Sequence, residues 1–143
     1  MFEKPSLVMR ITITKSIGFV IGLIAFFVLP QWGVTDVWFR VGVVFYITIM
    51  GAMIGLLGVM TYHPVLRLPM AWWFRGPFIG GFMMWMLWML AAPEMEMAAA
   101  GVFGADSLFA HGPWVILHGV VIGLIMSWTA TFFGGEGKET VGR

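Results

Sequence analysis

The sequence predicts an all-α integral membrane protein: a bundle of four transmembrane helices with both termini on the cytoplasmic side. Three observations carry this reading. Four stretches, 16–30, 41–62, 77–92 and 114–133, contain no Asp, Glu, Lys or Arg in a chain of 143 residues. Hydrophobic residues make up 60% of the chain and charged residues 10%, against about 25% charged in soluble domains. The basic residues are also asymmetric. With the amino terminus inside, Lys4, Arg10, Lys15, Arg67, Arg75, Lys138 and Arg143 fall on the cytoplasmic side and only Arg40 outside, the bias that orients short-looped membrane proteins.

A helix crosses a hydrocarbon core about 30 Å thick with about 20 apolar residues. The spans are expected at roughly 16–30, 38–62, 76–92 and 113–133, the first and third reaching that length only with uncharged or snorkelling flanks. They form one domain over 1–133, followed by a flexible, glycine-rich polar tail over 134–143. The first span resembles the front of a secretory signal, with Lys4, Arg10 and Lys15 before an apolar run. No small-x-small cleavage site follows, so an uncleaved first span is expected. Trp32 and Trp38 flank the outer turn at 31–37, where indoles prefer the headgroup level. The inner connection at 62–75 mixes proline, arginine and tryptophan and is expected along the inner surface. The longest connection, 93–112, opens with a short helix around Glu94 and Glu96 and is expected to cap the bundle or dip into lipid. Pro113 then suits the first turn of span four.

Small residues recur at close-packing intervals in every span. Gly18 and Gly22 mark the first, Gly51, Gly55 and Gly58 the second, Gly76 and Gly80 the third, and Gly119 and Gly123 the fourth. Lipid is as apolar as leucine, so helix association in membranes depends on such shape complementarity. These glycines are the expected helix-packing positions, inside one bundle or toward a partner.

Chemistry-bearing residues are sparse. Arg40 stands at the outer end of span two with Asp36 four residues earlier, a spacing that predicts an ion pair and, failing that, a ligand or pathway contact. His118, beside Gly119, is expected to hydrogen-bond between helices, and is the other ligand or pathway candidate. Of the three histidines, His63 lies at the inner end, away from His111 and His118, which disfavours a two-histidine haem site. His111 with Glu94, Glu96 and Asp106 forms a conceivable outer-face metal set, and Met95-x-Met97 adds thioethers nearby, although most of the 13 methionines suit gap filling. Cysteine is absent, which removes thiolate ligands and nucleophiles. No carboxylate lies within the first span, which weighs against proton-coupled export. No phosphate loop, His-Glu-x-x-His or nucleic-acid patch occurs.

The functional expectation is a non-catalytic accessory or structural subunit of a larger membrane assembly, packing against lipid and other transmembrane helices as a homo-oligomer or hetero-complex. No cofactor is specified, and bound lipid or pigment is the class such a surface suits. One alternative is a small oligomeric channel or carrier, with the span-two glycines beside the pathway and Arg40 at its mouth. A second is a metal-binding membrane protein using the outer-face set. A bacterial inner membrane is the expected location.

Overall fold

A computed structural model describes residues 5–142, so Lys4 and Arg143, two of the basic residues used for orientation, lie outside the described residues. Among the described residues the protein is all-helical, without strands. The described residues form five α-helices: α1 (Leu7–Val28), α2 (Val37–Leu56), α3 (Trp72–Leu90), α4 (Ala92–Phe103) and α5 (Leu117–Gly134). Three helical stretches, Leu7–Trp32, Val37–Val59 and Gly112–Gly134, are long and apolar enough to cross a membrane. The pair α3 and α4, bent by 119°, counts as a fourth if it is one broken span. Three to four such helices point to a membrane location.

The first helix starts earlier than the charge pattern suggests. Ser6 caps it by accepting from the Met9 N–H, and the helix runs through Arg10 and Lys15 rather than starting at residue 16. Arg10 interrupts the apolar run in sequence but not in structure, because protein carbonyls meet its guanidinium. A tight turn at Leu29–Trp32 ends in Gly33, whose φ of 92° is left-handed and favours glycine. Asp36 then caps α2 through the Trp38 N–H at 2.9 Å.

The helices pack as two zipped pairs, and glycine explains both. Between α1 and α2, a Cβ at Gly22 would lie 2.7 Å from Val44 Cα, and one at Gly55 2.8 Å from Ile11 Cα. Gly18 and Gly51 lie against the backbones of Ile47 and Thr14 in the same seam. Between α3 and α5, Gly76 and Gly80 face Gly123 and Gly119, so closely that a Cβ at Gly80 would overlap the Gly119 carbonyl. Ser127 adds a hydrogen bond across this second seam to the Trp72 carbonyl at 2.9 Å. The expected packing glycines are thus in contact within the chain.

The bundle has two distinct ends. At the terminal end, where α1 begins and α5 finishes, segment 134–142 does not extend as a free tail. The Gly137 N–H bonds the Gly58 carbonyl at 3.0 Å, and Thr140 is fully buried. The connection at 61–70 folds into a small hairpin in which the Met70 N–H meets the Thr61 carbonyl at 2.7 Å. At the far end, α4 lies across the helix ends. Trp32 packs on Gly101 of α4, whereas Trp38 is 82% exposed.

Candidate functional site

Two clusters stand out, one at each end. At the terminal end two arginines that a sequence pattern reads as snorkelling flank residues are fully enclosed, Arg10 at 0% and Arg75 at 1% exposure. Burying a guanidinium is unfavourable unless its donors are met. Here all but Arg10 Nη2 and Arg75 Nε are met, mostly by backbone carbonyls at or beyond helix ends. Arg10 Nε donates to the Gly55 carbonyl at the end of α2 at 3.2 Å, and Nη1 reaches the Gly135 carbonyl and Thr131 Oγ1 at the end of α5. Arg10 therefore ties α1 to α2 and α5, and its cationic head complements the negative ends of two helix dipoles. Its guanidinium lies on Gly58, where any Cβ would overlap it. Arg75 donates to the Met60 and Met70 carbonyls at 2.7 and 2.8 Å and pairs with Glu136 at 2.6 Å.

At the far end the two helix pairs separate beneath α4 and leave a chamber of about 290 Å³. Ile24 and Val28 of α1, Val43 of α2, Met84 of α3, and Ala98 and Val102 of α4 line it with hydrocarbon. His118 of α5 also lines it. Its hydrogen bond is not interhelical. Nδ1 lies 3.1 Å from the Val115 carbonyl of its own chain segment, and the ring stacks on Phe103 of α4 at 5.2 Å. Gly119 draws α5 against α3, and the neighbouring His118 is turned away from that seam toward α4.

The roof over the chamber is fastened by Glu96. Its carboxylate accepts from the Gly112 N–H at 2.9 Å and from the Trp88 indole N–H at 3.2 Å, joining α4 to α3 and to the start of the last helical segment. These bonds, the Gly112 N–H foremost, hold the Glu96 carboxyl below its ordinary value. His111 stands 3.7 Å from Glu96, and its Nε2 bonds the Ala105 carbonyl at 2.6 Å.

Among the described residues no group of three His, Cys, Asp or Glu side chains is gathered that could hold a metal, so His111, Glu94, Glu96 and Asp106 do not form one coordination sphere. Met95 is buried in the chamber wall while Met97 lies against Gly33, which separates the two thioethers. Arg40 does not pair with Asp36. The aspartate is occupied in capping, and Arg40 reaches to α1, donating to the Phe26 carbonyl at 2.9 Å and covering the Phe26 ring at 4.6 Å. His63 accepts from the Val65 and Leu66 N–H groups and so stabilises its own turn. Sequence reasoning missed the Arg10, Arg75 and Glu136 cluster. The available signal was Gly58 and Gly134, clearances for the Arg10 side chain.

Fold and sites together define an all-helical chain of membrane-length apolar helices, locked at one end and chambered at the other. Compared with known protein families, with curated proteins and with solved structures, the chain matches none.

Proposed function

We propose that the chain is a non-catalytic accessory subunit of a larger membrane assembly, set in a bacterial inner membrane as four spans with the terminal end cytoplasmic. The observation that carries this reading is a ridge along α3. Phe74, Phe78, Phe82, Trp85 and Met89 recur at helical spacing and all face outward. The ridge is pre-ordered, with Phe74 stacked on Phe78 at 5.7 Å and Phe82 edge-on to Trp85 at 6.3 Å. Rigid aromatic rings supply contact area at low entropic cost, which suits a partner helix or a pigment. The glycine faces are occupied within the chain, which moves the expected docking surface from glycine to this ridge.

Against the channel reading stands the position of the α2 stripe, where Gly51 and Gly55 touch α1 and Gly58 carries Arg10. For the orientation, Lys15, Arg67 and Lys138 remain exposed at the terminal end, so the positive-inside bias survives the loss of Arg10 and Arg75 to the interior.

The test is purification from native membranes in gentle detergent, followed by native mass spectrometry. A partner in fixed stoichiometry, released by the paired change Phe78→Ala and Phe82→Ala, is expected. A bare monomer from membranes rich in the protein overturns the subunit reading. Because the chain has no cysteine, single cysteines at Lys138 and Asp106 report sidedness by impermeant labelling, and labelling of both from one side overturns the orientation.

A further inference from the structure

We infer that the outer face of α1 near the terminal end binds an anionic phospholipid, its phosphate held by Lys15, Thr12 and Ser16 and an acyl chain running on over Phe19 and Val20. Of the cations in α1, α2 and α3, Arg10, Arg40 and Arg75 each donate to carbonyls of the chain. Lys15 is exposed and, among the described residues, meets no protein acceptor. The hydroxyls beside it are in the same state. Thr14, Thr48 and Thr129 turn theirs back onto carbonyls of their own helices at 2.9, 2.6 and 2.6 Å, the local way a hydroxyl is satisfied within a helix. Thr12 and Ser16 form no such bond among the described residues and stand exposed.

Positions 12, 15 and 16 share one face of α1 by the i, i+3, i+4 spacing of a helix, and with Thr48 of α2 they border one groove. Polar groups facing a bilayer are unfavourable unless something answers them, so this face calls for an occupant rich in oxygen acceptors. Charge selects its class. The groove carries a cation and no carboxylate, so a phosphate finds donors, whereas the ammonium of a zwitterionic headgroup meets only Lys15. The face is also ordered along its axis as a lipid is. The donors lie toward the terminal end, and the exposed Phe19, Val20, Leu23 and Phe27 continue toward the bilayer centre. Lys15 stands about 12 Å from Leu7 along the axis, at 1.5 Å per residue. The stretch Leu7–Trp32, 26 residues long, overruns the roughly 20 that the hydrocarbon requires, so the long lysine stem reaches the phosphate level. A partner helix would have to carry a carboxylate into the bilayer edge to answer Lys15, a cost that a lipid phosphate avoids. Such a site needs only the membrane location, whether or not the chain has a partner subunit.

The test is native mass spectrometry of the detergent-purified full chain, titrated in parallel with dioleoyl phosphatidylglycerol and dioleoyl phosphatidylethanolamine. The unaltered chain is expected to take up one phosphatidylglycerol saturably and about fivefold more tightly than phosphatidylethanolamine, the factor of one basic residue near an anionic headgroup. Lys15→Gln should erase that preference. Thr12→Val with Ser16→Ala should weaken phosphatidylglycerol roughly threefold to tenfold, the range of a net hydrogen bond. Lys138→Gln, which removes another exposed cation at the same end, should leave it unchanged. All these side chains are exposed, so the variants are expected to keep the unfolding midpoint of the unaltered chain. Equal affinity for the two lipids overturns the headgroup assignment. Equal losses in Lys15→Gln and Lys138→Gln reduce the effect to diffuse surface charge and overturn the site. Loss of a co-purifying protein on Lys15→Gln, with lipid uptake unchanged, assigns the face to a neighbouring helix and overturns the lipid.

Discussion

Arg75 and Glu136, 61 positions apart, form an ion pair at 2.6 Å in which the arginine is fully enclosed and the glutamate retains 28% exposure. A second arginine, Arg10, is buried in the same end of the bundle. Among the described residues Glu136 pairs with Arg75 and its charge also favours the cationic form of Arg10. Removing one partner of a buried pair costs roughly 3–5 kcal/mol because the other is left uncompensated.

Glu136→Gln should therefore destabilise the fold by about 2–4 kcal/mol, the lower figure allowing for solvent at the glutamate. Thermal unfolding of the detergent-solubilised protein followed by circular dichroism reads this. An unchanged midpoint would mean that the pair is an incidental surface contact.

The seam between α3 and α5 makes a contrasting pair of substitutions. Gly80→Val should cost more than the roughly 1–3 kcal/mol of ordinary overpacking, because the obstacle is the Gly119 backbone. Gly42→Ala meets nothing within 4 Å and should be neutral or stabilising by up to about 1 kcal/mol, since alanine is the better helix former. Unfolding midpoints of both variants in one detergent give the comparison.

Arg40 should couple to Phe26 and not to Asp36. A double-mutant cycle between Arg40 and Phe26 is expected to show about 0.5–2 kcal/mol. The cycle between Asp36 and Arg40 should close near zero, and a larger value there would restore the ion pair that the spacing suggests.

Acid should loosen the roof. The folded Glu96 carboxyl titrates below its ordinary value of 4.5. Its stabilising contribution is therefore complete above that value and is lost as pH falls through the folded pKa. Amide exchange at Gly112 should accelerate relative to its intrinsic rate as pH falls through the folded pKa, below 4.5, and Glu96→Gln should remove that dependence. Identical pH profiles for the two proteins would assign the roof's stability to other contacts.

The all-helical class is legible in the charge-free stretches, and the last membrane-length helical stretch, Gly112–Gly134, coincides with the expected 113–133. Glycine spacing likewise points to the contact faces. Spacing does not say which helix a face meets, and here α5 rather than α4 closes against α3. The first span misleads because a charge is read as a boundary, whereas Arg10 finds its partners 45 and 125 positions away. His118 is legible as a candidate but not in its role, because its tautomer depends on the Val115 carbonyl and its setting on the splay of two helix pairs.

The lock at the terminal end also imposes an order on biogenesis. During synthesis the earlier segments fold first, and α1 can zip to α2 as soon as both have left the ribosome. Arg10 waits, because its Gly135 partner is translated 125 positions later. Until then Nε can reach the Gly55 carbonyl of α2, while Nη1 must be held by headgroups or water. Capture of Gly135 and Glu136 is therefore the step that joins the two halves, and a nascent chain stalled before residue 135 should be recovered with its helix pairs unjoined.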